Sequence, residues 1–105
     1  VTLPGRGEVW WGEAPDAKGR PYLVLTRDEA IPVLRTLLVA PVTRTIRGIP
    51  TEVPLGADEG LPTECVAAFD ATTVFPRAML VRRVGSLPPT RIHELCDALA
   101  AATDC

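Results

Sequence analysis

Hydrophobic positions along the chain fall in short runs broken by turn residues, and two different periods are visible. Gly7–Trp11 (GEVWW) reads as a first strand, and a polar loop follows from Gly12 to Gly19 (GEAPDAKG). Pro21–Thr26 (PYLVLT) reads as a second strand. Its unbroken apolar run predicts burial on both faces, and a proline is tolerated at the first residue of a strand. Asp28–Ile31 predicts one helical turn, stopped by Pro32. Leu37–Val42 is a third strand, followed by a loop at Thr43–Pro50 (TRTIRGIP). Thr51–Leu55 reads as a short edge strand, Gly56–Pro62 as an acidic turn, Glu64–Phe69 as a further strand and Met79–Gly85 as the last.

The period then changes. Ile92, Leu95, Cys96 and Leu99 recur at i, i+3, i+4 and i+7, one apolar stripe of a helix, and Pro88 and Pro89 suit its entrance. The expected fold is therefore mainly β: five to seven short strands in a small barrel or strongly curled sheet, with a C-terminal α-helix. Trp10 and Trp11 are adjacent in the first strand, so they point to opposite faces. One belongs to the core, which leaves the other for an interface or a stacked base.

Composition narrows the class. A length of 105 residues suits one domain, 1–105, and 47% hydrophobic with 23% charged residues suits a globular chain rather than a disordered one. Eleven prolines and eight glycines argue against a helical bundle. The net charge of -2 excludes bulk positive charge as the basis of nucleic-acid binding. Its distribution still matters: residues 1–50 carry seven basic and five acidic side chains, and every basic residue of the chain except Lys18 is arginine. Arginine offers phosphate a planar fork, where lysine is a point charge. The cysteines are Cys65, Cys96 and Cys105, with no C-x-x-C pair and a single histidine, His93. That pattern predicts no disulfide framework, no metal site and no cofactor. With no 18-residue apolar run and no signal-peptide pattern, the expectation is a cytoplasmic protein without a membrane span.

Phosphate-cradling glycine loops, zinc-protease and serine-hydrolase motifs are all absent. What remains are Arg20, Thr43 and Asp70, each at the end of a predicted strand. Taken singly, each has an ordinary structural explanation: a loop-carbonyl cap, a local turn bond, a turn start.

Taken together, several segments resemble the MazF/PemK-like toxin family. They are Arg6–Trp10 (RGEVW), Gly19–Leu25 (GRPYLVL), Val39–Thr43 with Gly48–Leu55 (VAPVT, GIPTEVPL), and the strand ending in Phe69-Asp70. Order, spacing and length agree over most of the chain. The resemblance implies a small SH3-like barrel of the CcdB/PemK-like type with a C-terminal helix. It implies a homodimer that cuts single-stranded RNA sequence-specifically and without metal. It also implies a cognate MazE-like antitoxin whose acidic C-terminal tail occupies the RNA groove. By motif match, Arg20 and Thr43 form the active site, and Asp70 stands where some members have a base or RNA contact. Some members carry an arginine two residues before that Asp; here the position is Ala68, and Arg77 is the candidate substitute. Lys18 and Gly19 on the first loop and Arg44 and Arg47 on the second are, with Arg77, the candidate RNA contacts. Two rivals share this fold. One is a CcdB-like gyrase poison acting through the helix at 89–104; the other is a catalytically silent peptide-binding module.

Overall fold

A computed structural model of the chain describes residues 2–16 and 18–104. Seven strands are present among them: β1 (Glu8–Gly12), β2 (Arg20–Val24), β3 (Thr36–Thr43), β4 (Glu52–Leu55), β5 (Cys65–Ala68), β6 (Thr73–Pro76) and β7 (Leu80–Ser86). One α-helix, α1 (Ile92–Thr103), follows a single 3-10 turn at Pro89–Arg91. All strand pairs are antiparallel, in the order β4-β5-β3-β2-β1-β7, with β6 on the first half of β3. The mainly β half-barrel with one C-terminal helix is the architecture expected from the hydrophobic pattern.

β3 is the hinge of the sheet. Its first half pairs with β6, ending at Val39 opposite Thr73, and its end pairs with β5, starting at Val42 opposite Ala67. Pro41 lies in the gap between the two partners. Leu25 N–H donates to Leu38 O at 2.9 Å. Hydrogen-bonded pairs alternate along an antiparallel ladder, so Pro41 turns its nitrogen away from β2 and into that gap, where no donor is needed. Another strand proline, Pro54, sits exposed on the edge strand β4.

β1, β2 and β3 are covered on both faces. Val9, Leu23, Ala40 and Val42 face an inner core closed by α1 through Leu95 and Ala98. Trp10, Val24, Leu37 and Val39 face a second cluster with Ile31, Phe75 and Leu80. This two-sided burial explains why Leu23-Val24-Leu25 shows no polar alternation.

Several expectations need correction. β6 was not evident in the sequence: Phe75 is its one buried residue, so four residues give no period to detect. Residues 27–34 form two successive turns, Ala30 N–H to Arg27 O and Leu34 N–H to Ala30 O, and the second runs through Pro32 instead of stopping before it. The helix buries Leu95 and Ala98 with Ile92, Leu99 and Ala102 packed alongside, whereas Cys96 is exposed. At about 100° per residue, Cys96 falls on the rim of a face centred near Leu95. Cys65 is buried in β5, and Cys105 lies outside the described residues.

The curl closes where the turn after β4 meets β7. Gly60 has φ 90°, and a Cβ there would lie 2.8 Å from Val84 O. A Cβ on Gly85 would overlap Glu59 O. Only glycines let these backbones approach so closely. Beneath them, Arg91 at the helix entrance bonds buried Glu59 (2.9 Å), Glu94 (2.7 and 2.8 Å) and Pro54 O (2.7 Å).

Candidate nucleic-acid interface

The β2–β3 register sets Tyr22 opposite Pro41. Two residues beyond that pair, at the same end of the two strands, lie Arg20 and Thr43. Both residues end their strands where the sheet opens, and both line the same two depressions. The larger is a groove of about 640 Å³ whose wall includes Trp11, Gly19, Leu61 and Arg82. The smaller, about 240 Å³, is bounded by Arg47, Glu52, Ala68 and Ala71. Arg20 and Thr43, with Thr45, line both and form the ridge between them.

The larger groove is electropositive. Arg20, Arg44, Arg82 and Arg83 line it, and no carboxylate does. A chain of net charge -2 thus gathers four guanidinium groups in the lining of one cleft. Arg20 is exposed, and no hydrogen bond or ion pair engages its guanidinium among the described residues. Arg83 is already engaged, by Glu8 at 3.2 Å and Ser86 at 3.1 Å. Thr43 Oγ1 accepts the Thr45 N–H at 3.2 Å. This local turn fixes the hydroxyl oxygen and leaves its proton free to donate.

Two features were not visible in the sequence. Strand alternation sends neighbouring residues to opposite faces, yet Arg82 and Arg83 both line the groove. The β1–β7 ladder steps over Val84 and Val81, placing irregularities on either side of these arginines. Bulges re-aim side chains in this way. The other feature is Glu52, whose carboxylate accepts the N–H groups of Arg47 (3.0 and 3.3 Å) and Gly48 (2.9 Å). It pins the otherwise exposed 44–50 loop to β4; an acidic residue four places after Gly48 was the only hint.

The remaining candidates divide. Gly19, Arg44 and Arg47 lie on the groove walls, with Arg47 on the smaller. Lys18 is exposed beside Gly19 and lines neither depression. Asp70 also lines neither: its carboxylate accepts the Thr51 hydroxyl at 2.7 Å in the 3-10 turn after β5. Arg77 does not replace the arginine missing at Ala68. It follows β6, which pairs Pro76 with Thr36 at the opposite end of β3 from Thr43, and its guanidinium donates to Ile31 O at 2.6 Å. Ala68 itself lines the smaller depression. Cys65 lies under the groove; burial, reinforced by nearby Glu59 and opposed by Arg44, pushes its thiol pKa up and keeps it neutral. Among the described residues, no three His, Cys, Asp or Glu side chains cluster as metal ligands. No helix there is long and apolar enough to cross a membrane.

Fold and groove define a small, strongly curled β protein with an arginine-lined cleft suited to a polyanion. Comparison with known proteins gives the family. The profile of the PemK-like, MazF-like toxins of type II toxin–antitoxin systems matches residues 5–103, and the chain belongs to that family. It is 47% identical, over 100% of its own length and 97% of the relative's, to a Mycobacterium tuberculosis protein named probable endoribonuclease MazF5. Among solved structures, it is similar to the Mycobacterium tuberculosis toxin MazF-mt6, with TM-score 0.85 and 36% identity over 92% of this chain and 96% of that one. A mycobacterial endoribonuclease in complex with its cognate antitoxin superposes with TM-score 0.83 and 25% identity, covering 96% and 95%.

Proposed function

We propose that this toxin is a sequence-specific endoribonuclease that cuts single-stranded RNA without a metal ion. The observation that carries the reading is the pairing of Arg20 and Thr43 on a ridge inside an arginine-lined groove. RNA brings its own nucleophile, the 2′-hydroxyl beside the scissile phosphate. The 2′-oxygen loses its proton to solvent and forms a bond to phosphorus as the bond to the 5′-oxygen breaks and that oxygen takes a proton from solvent, giving a 2′,3′-cyclic phosphate and a 5′-hydroxyl end. The protein's part is to hold the three atoms in line and to stabilise charge on the phosphoryl oxygens.

Arg20 clamps the phosphate with charge-assisted hydrogen bonds, and Thr43 donates its hydroxyl proton to a phosphoryl oxygen. A guanidinium offers a fork of donors and no acceptor, so Arg20 acts here as a clamp. Asp70, held by Thr51, has no part in this account. Specificity comes from the loops around the ridge, which read splayed bases of single-stranded RNA. The same basic groove attracts the acidic, initially disordered tail of an antitoxin, which competes with substrate. The active unit is a cytoplasmic homodimer of one toxin domain, 1–105. The gyrase-type rival finds less support, because Arg91, the basic residue at the helix entrance, is taken up by Glu59 and Glu94.

The test is cleavage of a long single-stranded RNA in excess EDTA, with both new ends mapped. Discrete cuts leaving cyclic phosphate and 5′-hydroxyl ends are expected. Arg20→Ala is expected to slow them about a hundred- to thousand-fold, the loss of ~2.7–4 kcal/mol of transition-state stabilisation. A folded Arg20→Ala protein that cuts as fast as the parent refutes the assignment. So does cleavage abolished by EDTA.

A further inference from the structure

The groove contains an arginine that the proposed chemistry leaves unused. The Arg82 guanidinium carbon lies 5.8 Å from the centroid of the Trp11 ring, in cation–π range. Among the described residues, the Arg82 side chain makes no hydrogen bond or ion pair, unlike that of its neighbour Arg83. The indole beneath it is itself fixed. Trp11 Nε1 donates to Glu13 at 3.1 Å, and Gly19 packs so closely on the ring that a Cβ would lie 2.5 Å from Nε1. Trp11 and Arg82 sit opposite each other on β1 and β7. Both line the groove that holds Arg20 and Thr43.

From this geometry we infer that Arg82, held over the Trp11 ring, is a second phosphate-binding subsite, which holds the RNA backbone beside the scissile phosphate. The inference rests on the RNA reading of the groove. The cation–π contact restrains the side chain over a fixed ring while its N–H fork stays free, so less side-chain freedom is lost when phosphate binds. Arg83 does not share this role, because Glu8 neutralises it. Phosphate contacts position a strand without reading its sequence, so Arg82 contributes affinity and register, not base choice.

The probe is a fluorescein-labelled single-stranded DNA oligonucleotide of mixed sequence, which lacks the 2′-hydroxyl and is not cut. Its affinity is measured by anisotropy across a series of salt concentrations for the parent, Arg82→Ala, Arg82→Lys and Arg35→Ala. Arg35 is exposed and lies beside Arg77, away from the groove, so its replacement removes the same charge without touching the site. Loss of one phosphate contact lowers the slope of log affinity against log salt by about 0.7. Arg82→Ala is expected to show that drop, with binding about tenfold weaker at low salt. Arg82→Lys should keep most of the slope and lose part of the affinity, and Arg35→Ala should match the parent. Thermal unfolding of each variant separates lost binding from lost folding.

An Arg82→Ala protein that is folded and keeps the parent's slope overturns the inference. So does an equal loss in Arg35→Ala, which would mean that net charge alone is felt. Unchanged oligonucleotide binding with weakened poly-glutamate binding would give the subsite to an acidic peptide and overturn it as well. The nuclease reading fails separately: if the parent binds the oligonucleotide through Arg82 but never cuts RNA, the subsite stands and the catalytic assignment falls.

Discussion

Replacing Arg91 by alanine tests how the groove wall is held. Glu59 is 7% exposed and sits in the turn that supplies Gly60, Leu61 and Pro62 to the groove. Its carboxylate has two partners, Arg91 Nη1 at 2.9 Å and Gly56 N–H at 2.7 Å. Arg91→Ala leaves it buried with the amide alone. Removing one partner of a buried ion pair costs about 3–5 kcal/mol, chiefly because the other charge is stranded. Arg91 is 24% exposed and Glu94 is 32% exposed, so water reaches that side of the network. The Glu94 arm therefore counts as a surface pair, worth about 0–1 kcal/mol. A loss of ~3 kcal/mol is the expected sum. At about 4–8 °C per kcal/mol for a chain of this size, Tm falls by roughly 15 °C. Urea unfolding followed by tryptophan fluorescence measures the loss. Adding Glu59→Gln to the Arg91→Ala background should regain part of it, because a neutral amide is cheaper to bury. A loss below about 1 kcal/mol, or no recovery with Glu59→Gln, would show that the Glu59–Arg91 pair does not hold the turn.

Two further outcomes follow from the same wall. Hydrogen bonds from Arg91 hold the Glu94 carboxyl below its usual range, against the opposing effect of burial and with help from the charges of Arg91 and His93. A depressed acid stabilises the fold above its unfolded pKa, and that contribution disappears as pH falls through the folded value. Denaturant midpoints from pH 7 down to 3 should fall in the acid range, and less steeply in Arg91→Ala; an identical acid slope in both would rule out this coupling. Gly85→Ala puts a Cβ into the Glu59 carbonyl, backbone against backbone, with no flexible side chain to yield. It should cost at least ~3 kcal/mol or prevent folding, and a Gly85→Ala protein melting within about 3 °C of the parent would contradict the close approach.

Much of this protein was legible along the chain. Strand and helix periods depend on which neighbours along the chain are apolar, so β1, β2, β3 and α1 could be placed from sequence alone. The unbroken Leu23-Val24-Leu25 run announced a strand covered on both sides, and RGEVW, GRPYLVL and VAPVT pointed to the toxin family before any geometry was known. β6 escaped, because a four-residue strand with a single buried side chain carries no period.

The site needed the third dimension. Arg20 and Thr43 are 23 positions apart, and only the antiparallel pairing of β2 with β3 brings them to one end of the sheet and one ridge. Asp70 and Arg77 looked equally available in the sequence. The turn after β5 gives Asp70 to Thr51, and β6 pairing carries Arg77 to the far end of β3. Conversely, Arg82 belongs to the groove only because β7 is irregular on both sides of it, against the alternation that a regular strand imposes. Local patterns determine what each segment becomes, because they act between neighbours in sequence. Pairing register, bulges and the Gly60–Gly85 contact act between residues distant in sequence, so the tertiary structure alone decided which charges share the cleft.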